Sequence, residues 1–168
     1  MNRAERDRLF HELFAANKER IRRLCYGYLG PGGEVDDLFQ EIMVHVWNSL
    51  PLFRGESAPG TWLYRIAINT ALMYRRKRRA TEPLPELVDD SRGAQQDLES
   101  RERLSALHRA IAILPDQDRL IVTLLLEDLS YKEIAEITGL TVNHVGVKIS
   151  RIKHVLEDLM TEAHHGSI

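Results

Sequence analysis

Apolar residues recur at steps of three and four along almost the whole chain, as in Leu9, Leu13, Ile21, Leu24 and Tyr28, and no long stretch alternates apolar with polar. A repeat near 3.6 puts such residues on one face of a helix, whereas a half-buried strand needs a repeat of two. The chain is therefore read as all-α. Its 168 residues suffice for one medium domain or two small ones, and composition alone does not choose between them.

Glycine, proline and charge supply the punctuation. Gly30, Pro31, Gly32 and Gly33 end the first helical arm, because glycine tolerates positive φ and proline cannot continue a helix. The cluster lacks the Gly-Lys-Ser/Thr ending of a phosphate loop, so it is a turn. Asp36 and Asp37 are the expected caps of a second helix running to about Leu50, with Leu38, Ile42, Val46 and Leu50 on one face and Pro51 at its end. A third helix is expected from Thr61 through Trp62, Leu63, Ile66, Ala67, Thr70 and Tyr74 into the basic run 75–79. The stretch TEPLPELVDDSRGAQQDLESRE then offers two prolines, a glycine, many acids and few large apolar residues, the composition of a flexible linker. The C-terminal part of that stretch can already be helical, leading into the clear helical spacing of Leu104, Leu107, Ile111 and Leu114 before Pro115 interrupts. The expected organisation is two small helical domains, 1–80 and 104–160, joined by an acidic linker at 81–103, with a disordered tail at 161–168.

A net charge of −2 would argue against a nucleic-acid partner if it were evenly spread, but it is not. Residues 1–80 carry 14 Lys/Arg against 9 Asp/Glu, residues 81–107 carry 3 against 7, and residues 108–168 carry 6 against 9. A basic front and an acidic middle suit two binding modules with an acidic connector.

Several functions are disfavoured. No apolar run approaches the roughly 20 residues that cross a bilayer, and MNRAERDRLF lacks the apolar stretch of a signal peptide, so a cytoplasmic protein is expected. Cys25 is the single cysteine, which precludes an intramolecular disulfide and makes a small buried residue its expected role. There is no HExxH or Gly-x-Ser-x-Gly, and His164 and His165 are neighbours rather than one helical turn apart. The residues thus point to no enzyme, no metal, no cofactor and no small-molecule substrate.

Two constellations point to nucleic acid. Ser130, Tyr131, Lys132 and Glu133 form a capping box, Ile134, Ala135 and Ile137 give the short helix after it an apolar side, Gly139 stops that helix, and Thr141 can cap the next. The last helix buries Val145, Ile149, Ile152, Leu156 and Leu159 and gathers Asn143, His144, Lys148 and Arg151 near its N-terminal end, where a recognition helix presents side chains to a major groove. An ordinary amphipathic hairpin with a solvated face has the same periodicity. The second constellation spans 53–79, where aromatic residues stand among arginines and Asn69, a set suited to stacking opened bases and holding phosphates. Taken alone, Trp62 and Tyr74 read more readily as core residues, and a basic run at a helix C-terminus is favoured by the helix dipole anyway.

In order and spacing these segments resemble the extracytoplasmic function group of bacterial RNA polymerase sigma factors. DDLFQEIMVHVW is similar to the family helix that docks on the clamp coiled coil of the largest polymerase subunit, which implies polar contacts from Asp37, Gln40 and Glu41. FRGESAPGTWLYRIAINTALMYRRKRR resembles the segment that opens and reads the minus-ten element. The resemblance implies DNA contacts there from Arg54, Glu56, Ser57, Thr61, Trp62, Arg65, Asn69 and Arg76. LPDQDRLIVTLLLEDLSYKEIAEITGL and the helix after it resemble the minus-thirty-five domain, with Thr141, Asn143, His144, Lys148 and Arg151 toward DNA. Implied partners are core RNA polymerase, through its clamp and flap regions, promoter DNA, and an anti-sigma protein, often membrane-anchored. Four residues depart from the family pattern: Met73 stands where an aspartate is common, Ile68 where a basic residue is common, and His144 and Gly146 where a threonine and a basic residue are usual. Without the resemblance, the residues are also those of a helix-turn-helix regulator or RNA-binding protein that never engages polymerase.

Overall fold

A computed structural model describes residues 2–30, 34–80 and 98–165; most of the expected linker and the last three residues of the chain lie outside them. Seven α-helices and one short 3₁₀ turn account for the described elements, and no strand occurs among them.

Helix α1, Arg3–Leu29, starts at a capping box in which Asn2 and Glu5 satisfy each other's backbone N–H groups. It ends at Gly30, whose φ of 81° is the positive value that glycine was expected to supply. Helix α2, Val35–Ser49, corrects the expected start: Glu34 holds the cap position, and Asp36 and Asp37 fall in the first turn. There the partial positive charge of the helix N-terminus favours their carboxylates without a side-chain cap. Asp36 also pairs with Arg22 of α1. A 3₁₀ turn, Leu50–Leu52, follows. Helix α3, Pro59–Arg79, opens two residues ahead of Thr61, because a proline at the first helical position gives up no needed hydrogen bond.

Helix α4, Leu98–Ile113, is already formed before the expected end of the linker at 103, and Pro115 separates it from α5, Asp116–Leu126. Helix α6, Tyr131–Thr138, and helix α7, Val142–His165, complete the chain. α7 continues past Met160 to His165, so 161–165, expected to be disordered, is helical.

The helices of the first half pack pairwise, α1 on α2 and α3 and α2 on α3, and α7 packs on α4, α5 and α6. The two groups also meet: α1 contacts α4 and α5, and α3 contacts α6. As a result Tyr28, Leu38 and Ala67 from the first half and Ile121, Ile134 and Ile149 from the second belong to one continuous buried cluster. Gly27 lets α1 approach α5 closely, since a Cβ there would stand 3.0 Å from Thr123 Cγ2. Cys25 is fully buried in this cluster, and burial pushes its thiol pKa up to about 12, which keeps it protonated and unreactive.

Candidate nucleic-acid interface

The helix-turn-helix is built as its sequence predicts. Ser130 Oγ accepts from the Glu133 amide at 3.2 Å while the Ser130 amide donates to Glu133 Oε2 at 2.8 Å. The Ser130 hydroxyl, which donates to Glu133 Oε2 at 2.7 Å, and then the Ser130 amide hold the Glu133 carboxyl below its ordinary pKa. Gly139, left-handed at φ 78°, turns the chain, and its amide closes the last turn of α6 on the Ala135 carbonyl at 2.9 Å. Thr141 Oγ1 accepts from the His144 amide at 3.2 Å and so caps α7.

Val145, Ile149, Ile152 and Leu156 are buried, which leaves Thr141, Asn143, His144 and Arg151 exposed on the other side of α7. Lys148 is different. It is half-buried, and its Nζ donates to Asp118 Oδ1 of α5 at 2.7 Å. Gly146 faces the ring of Tyr131, with 3.7 Å available to a Cβ.

On α3 the buried stripe Leu63, Tyr64, Ala67, Ile68, Thr70, Ala71 and Tyr74 faces the core. The opposite side presents Arg65, Asn69, Met73 and Arg76, which share an exposed face at helical spacing. The burial of Ile68 explains its apolar character. Trp62 is half-buried, its ring centroid 4.9 Å from that of Phe53, and Thr61 and Ser57 are half-buried beside it; Arg54 and Glu56 are exposed on the preceding loop. Tyr74 is core, as one of the two expected readings had it: its hydroxyl donates to Glu34 at 2.9 Å, and burial first, then that bond, raises its pKa to about 12. Asp37 and Gln40 are exposed and Glu41 half-buried on α2, opposite Leu38, Ile42 and Val46.

Like Lys148, a second expected DNA contact is engaged inside the protein: Arg65 Nε donates to the Glu136 carbonyl of α6 at 2.8 Å. At the junction of the two halves, the basic run 75–79 meets a partner that the sequence did not single out. Arg75 and Arg79 both pair with Asp116 at 3.1 Å. Arg23 forms a two-pronged pair with Glu127 at 2.9 and 2.8 Å, and Arg20 donates to the Glu127 carbonyl at 3.3 Å. Burial draws the Arg75 guanidinium pKa down, an effect that Asp116 opposes. Arg20, Arg23, Arg75, Arg79 and Asp116 lie on helices and Glu127 just past the end of α5, and periodicity gives none of these charges a partner across the fold. Among the described residues no group of His, Cys, Asp and Glu could hold a metal ion, and no helix is long and apolar enough to cross a membrane.

Residues 13–81 match the family described as Sigma-70 region 2, and residues 104–154 match Sigma-70, region 4. The chain is 32% identical over 163 residues to the ECF RNA polymerase sigma-E factor of Escherichia coli strain K12, covering 89% of this chain and 85% of that protein. Among solved structures, CnrH in complex with the cytosolic domain of CnrY superposes with a TM-score of 0.70 at 24% identity, covering 93% of this chain and 90% of CnrH. The sigma factor RpoE of Bartonella quintana, in complex with the anti-sigma factor NepR, gives 0.72 at 19% identity, covering 90% and 96%. At these identities the two structures bear on the fold, which they share.

Region 2 followed by region 4, the latter carrying a helix-turn-helix, defines a transcription initiation factor. The chain belongs to the extracytoplasmic function group of bacterial RNA polymerase sigma factors, and it binds core RNA polymerase and directs promoter-specific initiation.

Proposed function

We propose that the two exposed polar faces divide promoter recognition between them. Arg65, Asn69 and Arg76 on α3, with Trp62, Thr61, Ser57, Glu56 and Arg54 at its start, open the duplex and read the minus-ten element. Thr141, Asn143, His144, Lys148 and Arg151 meet the minus-thirty-five element. The observation that carries this reading is the exposure of Asn143, His144 and Arg151 on the N-terminal half of α7, which Thr141 caps and whose other side buries Val145, Ile149 and Ile152. Arginine and asparagine there can pair with base edges, and a lysine can hold phosphate. Asp37, Gln40 and Glu41, on the outward side of α2, seat the protein on the clamp coiled coil.

Domain boundaries near residues 80 and 104 fit this division, with the acidic segment between them running through the polymerase. The protein acts in the cytoplasm without catalysing a reaction of its own. Its regulator is an anti-sigma protein, a reading supported by the NepR complex of the structurally similar RpoE. Run-off transcription with core polymerase tests the assignment: Asn143→Ala and Arg151→Ala shift base preference in a selection on randomised promoters, and unchanged preferences for both would refute it.

A further inference from the structure

Val147 is out of keeping with the reading face of α7. Side chains three and four positions apart are neighbours on a helix, so those around Val147 are Asn143, His144, Ser150 and Arg151. All four are polar and exposed, and the buried stripe of Val145, Ile149 and Ile152 lies on the other side. Val147 itself is 42% exposed, an apolar side chain in the middle of a polar surface. Single exposed apolar residues are common on proteins, but this one adjoins a glycine that the fold does not require.

Gly146 lies inside α7 and has no positive φ. A Cβ there would stand 3.7 Å from the Tyr131 ring, ordinary van der Waals contact, so neither backbone nor packing calls for glycine. The helix is weaker for it than with alanine, and nothing inside the protein offsets the loss. What glycine does allow is a close approach of backbone to a ligand. A helix with its side chains is about 10–12 Å across and the major groove about 12 Å wide, so bulk on the groove-facing side holds the axis away from the base edges. Valine is short, its methyl groups bonded directly to Cβ, and it meets a base only where the helix lies deep.

We infer that Val147 is a specificity-determining residue of the minus-thirty-five module: it packs on the C5-methyl group of a thymine, and Gly146 lets α7 sink far enough into the groove for that contact. The thymine methyl is the apolar group that base edges present in the major groove, and cytosine, adenine and guanine lack it. The charge of the module favours such a reading. Residues 108–168 carry 6 Lys/Arg against 9 Asp/Glu, and Lys148 is held by Asp118, so attraction to phosphate is modest and discrimination falls to direct base contacts. The inference rests on the promoter-contact reading above and adds to it the base that this part of the helix selects.

Methyl deletion on the DNA tests this with holoenzyme assembled from core polymerase and the full chain. The holoenzyme first selects a minus-thirty-five element from a randomised duplex library. Each selected thymine is then replaced singly by deoxyuridine, which keeps the hydrogen bonds and removes only the methyl group. At one position the replacement weakens binding by wild-type holoenzyme about three- to fourfold, the worth of one buried methyl. With Val147→Ala the two bases bind equally at that position, and with Val147→Ile the preference for thymine is retained. Gly146→Ala raises the Tm of the protein yet lowers the thymine preference, a split that a merely structural glycine would not give. Absence of any methyl-sensitive thymine, a methyl effect undiminished by Val147→Ala, or a full effect in Gly146→Ala overturns the inference. Failure of the promoter-contact reading would register separately, as base preferences unmoved by Asn143→Ala and Arg151→Ala.

Discussion

Arg119 is the residue whose replacement most directly tests how the two halves are held. It is 2% exposed, and its guanidinium donates to the carbonyls of Ala112, Leu114 and Tyr28, the last two at 3.3 Å. These acceptors lie at the C-terminal ends of α4 and α1, so two negative helix poles converge on one buried cation that has carbonyls rather than a carboxylate as partners. Arg119→Met keeps most of the packing of the stem and removes the head group. At about 1 kcal/mol of net stability per hydrogen bond, a low figure for a charged donor, three lost bonds cost about 3 kcal/mol. For a chain of this size that is a fall in Tm of about 6–12 °C. Thermal unfolding followed by circular dichroism reads the shift. Arg119→Lys should lose nearly as much, because one ammonium group cannot reach three carbonyls on two helices. A Tm for Arg119→Met within about 2 °C of wild type would show that the converging helix ends do not need the guanidinium, and the reasoning would fail.

Gly146→Ala should raise stability by about 1 kcal/mol, seen as a higher Tm, since alanine is the better helix former and its methyl meets the Tyr131 ring at ordinary contact distance. His108 packs edge-on against Tyr26 between α4 and α1, and burial lowers its pKa. The unfolded chain therefore takes up that proton first, so the contribution is complete above the unfolded value of about 6.5 and is lost as pH falls through it toward the folded value. His108→Phe should flatten the loss of stability as pH falls through about 6.5 in denaturant titrations, and an unaltered slope would count against it. Lys148→Ala should weaken promoter binding across sequences and reduce the salt slope by about one, as loss of a phosphate contact does. Asp118→Asn, which releases Lys148 from its 2.7 Å bond, should strengthen binding in the same titration.

The helix-turn-helix was the most legible part of the chain, because its signals are local. A capping box needs two residues three apart, a left-handed turn needs a glycine, and a buried stripe needs apolar residues one turn apart, and all three are met at Ser130, Gly139 and the stripe from Val145 to Leu156. The start of α2 was misread because an aspartate before an apolar run signals a cap or a first-turn position equally well. Which one it is depends on Glu34, whose carboxylate is held by Tyr74 and Arg78 from a different helix. Similarly, Trp62 could be core or stacking platform by sequence, and its ring ends half-buried against Phe53.

Periodicity and punctuation in the sequence determined that the protein is all-α and where its helices divide, and motif order determined its family. Those properties depend on neighbours within a few residues. The tertiary structure alone decided that the two halves close on each other and which charges hold them. Arg23 and Glu127 are 104 positions apart, and Arg79 and Asp116 are 37 apart. Each is indistinguishable in sequence from a solvated surface charge. An ion pair is specified by distance in space, and a single sequence gives a polar side chain a helical face but no partner across the fold.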